Sequence, residues 1–169
     1  MKNLIKLVAG DARVDQNDPW ILIREKQPET DGAFILPVAQ WQARQHHNVF
    51  VEGQRSPDGV LLQPDDEPEA LQPWLSVLPM IAIDFPSFRD GRGYSQAYLL
   101  RVRLGWKGEL RAVGDVLRDQ LAHMRHCGFD AFAIREDKSA EEALKGLAGM
   151  SVLYGRSAIE PRPLFRRRE

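Results

Sequence analysis

The chain has 169 residues, of which 43% are hydrophobic and 28% charged, and its formal net charge is −1 at pH 7. This length and composition are typical of one globular domain, and the near-zero charge gives no general attraction to nucleic acid or anionic membranes. Cys127 is the single cysteine, so it forms no internal disulfide, and no apolar run reaches membrane-spanning length. We therefore expect a single domain over residues 1–169, located in the cytoplasm, without a nucleic-acid or membrane partner.

The first 58 residues predict a small N-terminal layer that contains β-strands. Apolar and β-branched residues at 20–23 and 48–51 are typical of strands. Between them, residues 37–44 fit a short helix, because proline is favoured at the first helical positions. A polar turn at 54–59 separates this layer from the rest of the chain.

From residue 59 the pattern alternates between strands and helices. The predicted strands lie at 60–62, 80–84, 110–113, 129–134 and 151–154. The predicted helices begin near Pro68, span 95–104 and 116–127, and follow Ser139. This alternation over 59–154 predicts an α/β fold with a mostly parallel sheet built from repeated βα units. A doubly wound sheet and a partial (β/α) barrel both fit, and residues 155–169 are expected to form a flexible basic tail.

Capping residues predict the ends of two helices. Asp115 is the expected N-cap of the helix at 116–127, because its carboxylate can accept a hydrogen bond from a free amide. Gly128 stands where that helix would stop. Ser139, with Glu142 three residues later, forms a capping box for the next helix.

Three groups of polar residues follow predicted strands of the parallel sheet. Asp84 and the loop at 85–95 end one strand, Gly114 and Asp115 end the next, and Arg135 ends the third. The carboxyl ends of parallel strands lie along one edge, where open α/β sheets and barrels bind their ligands. We therefore predict a site at this edge, with Asp84 and Asp115 as candidate catalytic acids or bases.

The loop Asp90-Gly91-Arg92-Gly93-Tyr94-Ser95 is the strongest candidate for ligand binding. Glycines let the backbone approach a ligand, and an arginine fork fits an anion that presents two oxygens. We predict that this loop, with Arg135, binds a small anion at a helix N-terminus. The alternative is a tight turn in which Asp90 caps the helix and Arg92 faces solvent. The loop has neither the ending of a P-loop nor the third glycine of a dinucleotide fingerprint.

No metal or cofactor motif accompanies this loop. His123 and His126 lie three residues apart, but no further set of ligands stands out. Cys127 lies at a predicted helix C-terminus, where the dipole raises a thiol pKa. We therefore expect neither a metal nor a cofactor, and the residues leave open whether the protein is an enzyme.

Five stretches of the chain resemble a bacterial family, the domain-of-unknown-function family 934. They are Leu78-Pro79, 81–88, 90–95, 108–117 and 127–132. The resemblance implies a role in assimilatory sulfite reduction, because members are described as oxidoreductases of that process and are encoded beside sulfite reductase. It assigns no catalytic residue.

Three functions remain open from the sequence. The first is an accessory protein of assimilatory sulfite reduction, which would bind sulfite reductase, its electron donor or a small oxyanion through residues 84–95. The second is an enzyme in which Asp84 or Asp115 is the acid or base and Arg92 and Arg135 hold a substrate anion. The third is a non-catalytic scaffold whose homodimer would complete a partial barrel.

Overall fold

The computed structural model describes residues 1–25, 32–45, 53–147 and 156–167. Within these residues an α/β fold is built on one curled, half-barrel sheet of eight strands, in the order β2-β1-β8-β7-β6-β5-β4-β3. The strands are β1 (Leu4–Val8), β2 (Asp11–Asp15), β3 (Trp20–Leu22), β4 (Ala33–Pro37), β5 (Gly59–Leu62), β6 (Met80–Phe85), β7 (Glu109–Gly114) and β8 (Ala131–Ala133).

Helices and single turns connect the strands. The α-helices are α1 (Val38–Gln45), α2 (Arg92–Tyr98), α3 (Leu121–Cys127) and α4 (Ala140–Leu144). A π-helical turn, Leu99–Arg103, continues α2, and 3-10 turns span Pro68–Trp74, Arg118–Gln120, Lys145–Leu147 and Leu164–Arg166. None of the helices in the described ranges is long and apolar enough to cross a membrane.

The six strands from β3 to β8 are parallel and neighbour one another in chain order, whereas β1 pairs antiparallel with β8 and β2 antiparallel with β1. A doubly wound sheet reverses its strand order at a switch point. The order from β3 to β8 runs without such a reversal, which fits the half-barrel instead. Regular βα repetition is not confirmed, because the connection from β5 to β6 contains a 3-10 turn where the connection from β6 to β7 contains α2.

The N-terminal strands do not form a layer of their own, as the sequence had suggested, but belong to the same sheet. The sequence pattern missed β4 and the hairpin of β1 and β2, whose charged residues obscure the apolar alternation. Ala9 and Gly10 turn that hairpin with φ values of 52° and 92°, as in two-residue turns with positive φ. The predicted strands at 48–51 and 151–154 lie outside the described residues.

Alternation along the strands divides the core into two faces. In β6, Ile81, Ile83 and Phe85 pack beneath the helices, in the larger core cluster. Met80 and Ala82 belong to a second cluster on the opposite face, which we call the inner face, and that cluster contains small residues such as Ala131 and Ala133 in β8. The inner face therefore has room for polar side chains and for a cleft.

The helix ends confirm some capping predictions and correct others. Gly128 ends α3 with a φ of 110°, and the Ser139 hydroxyl accepts a hydrogen bond from the Glu142 amide at 3.3 Å, as predicted. The Glu142 side chain pairs with Lys145, so only half of the capping box forms. Asp115 is not an N-cap, because a 3-10 turn at Arg118–Gln120 separates it from α3. α2 begins at residue 92 rather than 95 and passes into the π-helical turn.

Candidate ligand-binding cleft on the inner face

An open cleft of about 1400 Å³ lies on the inner face of the half-barrel. Its walls come from the first three residues of the chain, from residues 16–24 around β3, from the end of β7 and from residues 133–138 after β8. The floor of the cleft includes Asp18, and its rim includes Arg24, Gly114 and Arg135 at the carboxyl ends of the strands. Small-molecule sites in proteins often sit at such strand ends and have volumes of about 300–1,000 Å³, so this open cleft is larger than a typical one.

Arg24 and Asp84 form the first ion pair of the rim. One nitrogen of Arg24, Nη1, donates to Asp84 Oδ2, and the Asp84 side chain is only 6% exposed whereas that of Arg24 is 43% exposed. The other carboxylate oxygen, Asp84 Oδ1, is buried without a hydrogen-bond partner among the described residues. Arg24 therefore presents most of its donor fork to the cleft.

Gly114 brings the ends of β6 and β7 into close contact. Its φ is 98°, a conformation that side chains rarely adopt, and a Cβ atom there would lie 2.4 Å from the Phe85 carbonyl oxygen. The same Cβ would lie 2.8 Å from Asp84 Oδ1. Glycine is thus required where the rim residues approach one another.

Asp115 and Arg135 form the second ion pair of the rim. Asp115 Oδ2 accepts a hydrogen bond from the Phe88 amide at 2.9 Å, and its Oδ1 accepts one from Arg135 Nη1 at 2.7 Å. Arg135 also donates to both oxygens of Asp137, at 2.6 and 3.0 Å. The Phe88 amide, and then Arg135, lower the pKa of Asp115, and Asp137 and Asp115 raise the pKa of Arg135. The structure therefore brings Asp84, Gly114, Asp115 and Arg135 to this edge, as sequence analysis expected, but not the loop at 90–95.

The loop at 90–95 lies outside the walls of the cleft. Arg92 donates to both oxygens of Asp90, at 3.0 and 2.7 Å, and also contacts Asp65. The Arg92 amide donates to Asp90 Oδ1 at 3.1 Å. Carboxylates of the protein already occupy the guanidinium that we expected to bind an anion, while Gly91 and Ser95 are exposed.

Gly93 and Tyr94 take part in packing. A Cβ atom at Gly93 would lie 2.7 Å from the Phe85 ring, so this glycine lets α2 approach β6 closely. The Tyr94 ring lies 4.7 Å from the His123 ring, and its hydroxyl is 3.2 Å from Gln120 Nε2. These packing contacts account for Gly93 and Tyr94 at their positions, and no bound ligand is needed to explain them.

A buried ion network, which we call the floor, lies beneath the cleft and is centred on the lining residue Asp18. Arg111 Nη1 and Nη2 each donate to one oxygen of Asp18 at 2.8 Å, and Arg111 also donates to Glu109 at 2.6 and 2.8 Å. The side chains of Arg111 and Asp18 are both 0% exposed, and Lys6 adds a bond to Asp18 at 3.1 Å. Burial alone would raise the pKa of Asp18, but Arg111, the N-terminal ammonium and Lys6 together outweigh it, and the pKa is lowered.

Sequence reasoning missed Arg24, Asp18 and Arg111. Arg24 comes directly after the predicted strand at 20–23, just as Asp84 comes at the end of the predicted strand at 80–84. Because we treated the N-terminal region as a separate layer, we did not expect the two residues to lie at the same edge of one sheet. Arg111 interrupts the apolar run of β7, and a charge inside a buried strand is itself a signal of a polar partner. Nothing in the local sequence identifies that partner as Asp18.

Two observations on the described residues concern metal ligands and the thiol. No group of three or more His, Cys, Asp or Glu residues there is placed to hold a metal ion. Burial raises the pKa of Cys127 to about 11, and a thiol is a poor nucleophile at such a pKa.

These features define an α/β half-barrel protein with a candidate small-molecule cleft on its inner face. The chain belongs to the family described as "Bacterial protein of unknown function (DUF934)", whose model matches residues 59–165. The match confirms the resemblance seen in the sequence, and it includes Asp84, Asp115 and Arg135 but not Arg24 or Asp18. Neither a curated protein nor a solved structure matches the chain.

Proposed function

We propose that this protein binds a small oxyanion in the cleft, as an accessory protein of assimilatory sulfite reduction. The observation that supports binding is the placement of Arg24, which bonds the buried Asp84 through one nitrogen and directs its remaining donors to the cleft. The sulfite-reduction context, and with it a partnership with sulfite reductase or its electron donor, comes from the sequence resemblance.

The chemistry of the rim favours an anion over a cation. The guanidinium groups of Arg24 and Arg135 are 43% and 39% exposed, and they line the same cleft. Arginine binds planar or tetrahedral oxyanions through paired, charge-assisted hydrogen bonds. A bound oxyanion would take the unused donors of Arg24 and replace Asp137 as a partner of Arg135, because Asp137 is half-exposed and easily displaced.

Sequence analysis expected the anion at Arg92, whereas the proposal places it at Arg24 and Arg135. Arg92 is held by Asp90 and Asp65, whereas Arg24 has a single carboxylate partner among the described residues. An incoming anion at Arg92 would have to displace Asp90 or Asp65, just as one at Arg135 would have to displace Asp137, so the preference for the cleft rests on the unused donors of Arg24. The loop at 90–95 then serves to support β6 and α2.

Isothermal titration of the full chain with sulfite, sulfate and phosphate tests the proposal. We expect saturable binding that is weakened about tenfold in each of Arg24→Gln and Arg135→Gln, the usual effect of losing one charge-assisted hydrogen bond. Arg92→Gln is the matched control and should bind as the unmodified protein does. If only Arg92→Gln lost binding, the anion site would lie in the loop at 90–95 instead. If none of the three anions bound the unmodified protein, the proposal would be contradicted.

A second function, an enzyme acting on an anionic substrate, is favoured by the unpartnered Asp84 Oδ1. A buried carboxylate oxygen without a donor is uncommon, and a catalytic role is one explanation for such an atom. In this case Arg24 and Arg135 would hold the substrate and Asp84 would act as acid or base.

Growth of a deletion strain separates the two functions. We expect the strain to fail on sulfate and sulfite and to grow on sulfide or cysteine. Complementation by Asp84→Asn, which keeps the shape of the side chain, would support the accessory role. Failure of a stably folded Asp84→Asn protein that still binds the anion would support the enzyme, and normal growth of the deletion strain on all four sources would remove the link to sulfite reduction.

A further inference from the structure

A second, smaller pocket lies at the opposite end of the half-barrel. We call it the amino-end pocket; its volume is about 380 Å³, and Arg55, Ser76, Leu78, Trp106, Lys107 and Gly108 are among its lining residues. These residues belong to the three segments that precede β5, β6 and β7. The pocket is therefore separate from the cleft and from the carboxyl ends of the strands.

The amino-end pocket carries two cations for which the described residues provide no counter-ion. In the ranges that the structure describes, no carboxylate lies within ion-pair distance of Arg55 or Lys107, and both residues are exposed. Arg101, behind the same loop, is by contrast paired with Asp130 at 2.8 Å. Two unpaired cations on one pocket create a positive potential that attracts an anion.

The loop at 105–108 is held in a fixed shape by Arg101. Arg101 Nη1 donates to the carbonyl oxygens of Trp106 at 2.9 Å and Gly108 at 2.7 Å. In a trans peptide the N–H points away from the C=O, so the Lys107 amide faces away from Arg101. The loop thus offers a backbone donor on the side opposite Arg101, next to the Lys107 side chain.

An apolar wall stands beside these donors. Trp106 is 5% exposed and Leu78 is 2% exposed, and with Leu75 and Leu104 they line the pocket. The indole is fixed by a hydrogen bond from its Nε1 to the Glu109 carbonyl oxygen at 3.3 Å. The indole also lies against Gly108, where a Cβ atom would come within 2.3 Å of the ring. The pocket therefore combines a charged side with a rigid, flat, apolar side.

We propose that the amino-end pocket binds a small phosphate or sulfate ester with a flat apolar group. Arg55 and Lys107 bind the anionic end, and the apolar group packs against Trp106 and Leu78. The pocket volume accommodates a ligand of this size. This site is independent of the function proposed for the cleft.

Titration of the full chain with phenyl phosphate, phenyl sulfate and inorganic phosphate tests this inference. We expect calorimetry to show saturable binding of one of the esters, tighter than that of inorganic phosphate, together with a change in tryptophan emission. The emission change should disappear in Trp106→Phe. Arg55→Gln and Lys107→Gln should each weaken ester binding about tenfold, in line with the loss of a charge-assisted hydrogen bond. Both cations are exposed, so the variants should unfold at the temperature of the unmodified chain.

Arg24→Gln is the control, because it alters the cleft and leaves the amino-end pocket unchanged. Ester affinity that is unaffected in the Arg55→Gln, Lys107→Gln double variant would overturn the inference. The same holds if Arg24→Gln abolishes ester binding, if inorganic phosphate binds the Arg24→Gln protein as tightly as both esters do, or if neither ester binds saturably below about 10 mM, a Kd beyond that of a weak specific ligand.

Discussion

The floor and the rim of the cleft use the same chemistry in different surroundings. Both are built from arginine–aspartate pairs, but Arg111 and Asp18 on the floor are 0% exposed, whereas Arg24 and Arg135 on the rim are about two-fifths exposed. On the floor, hydrogen bonds from Arg111 satisfy both oxygens of Asp18. On the rim, one oxygen of Asp84 has no partner among the described residues.

This difference separates structural ion pairs from pairs that can exchange partners. A buried pair costs several kcal/mol to separate, because each charge would be left in a medium of low dielectric constant. A partly exposed pair contributes about 0–1 kcal/mol and is in competition with water and with other ions. The floor therefore fixes the fold around the cleft, while the rim remains open to a ligand.

The largest expected effect follows from breaking the floor. Arg111→Met should lower the free energy of unfolding by about 3–5 kcal/mol, because it leaves Asp18 buried without its main partner. Urea denaturation at neutral pH measures this effect. Adding Asp18→Leu to Arg111→Met should recover part of the loss, and a single variant as stable as the unmodified protein would show that the network does not stabilise the fold.

A smaller loss of stability is expected from a substitution at Gly114, where the floor and the rim of the cleft meet. Gly114→Ala should lower the free energy of unfolding by about 1–3 kcal/mol, through unfavourable φ and contact with the Phe85 carbonyl. Gly91→Ala is the control, because a Cβ atom there meets no atom within 4 Å. Equal stability of the two variants, measured by thermal unfolding, would contradict the close approach of β6 and β7.

Acid should remove more stability through the floor than through the rim pairs, because Asp18 is fully buried whereas Asp115 is partly exposed. The folded-state pKa of Asp18 is lowered from 3.8, so the stability gained from its charge is fully present well above pH 3.8 and is lost as the pH falls below it. Urea unfolding between pH 7 and pH 3 should show this decline, and Asp18→Asn should reduce its slope. Asp115→Asn should leave the slope nearly unchanged, because Asp115 is partly exposed to solvent. An unchanged slope in Asp18→Asn would contradict the assignment.

The smallest effect on stability is expected from the rim itself. Arg135→Gln should leave the unfolding midpoint within error of the unmodified protein, because the side chain is solvated and its acidic partners are solvated as well. Its effect should be confined to anion binding, as described for the cleft. A clear loss of thermal stability in this variant would place Arg135 in the structural class of Arg111.

The parallel strands could be predicted from sequence because their signals are local. β6 and β7 are mainly apolar, and the predictions at 80–84 and 110–113 match Met80–Phe85 and Glu109–Gly114 to within one residue at each end. Glycine and capping residues identified the end of α3 and the start of α4 in the same way. The convergence of Asp84, Gly114 and Arg135 then followed from parallel topology.

The features that sequence analysis did not predict depend on contacts between residues that are distant in the sequence. β1 was overlooked because Lys6 lies in it, and Lys6 is stabilised by Asp18 and Glu109, far away in the sequence. The N-cap prediction for Asp115 was wrong because Arg135 and the Phe88 amide bind that carboxylate instead. Such competition between local and long-range partners is not encoded in any short window of sequence.

The pairing of β1 with β8 has a consequence for synthesis on the ribosome. It joins Leu4 to Ala133, so the first strand of the described sheet is completed by its last strand. Contacts of such long sequence separation form late and slow folding. During translation the hairpin of β1 and β2 must therefore wait, with one edge unpaired, until β8 has left the exit tunnel. A nascent chain that stops before residue 131 would expose that edge, and we expect it to depend on chaperones more than the full chain does.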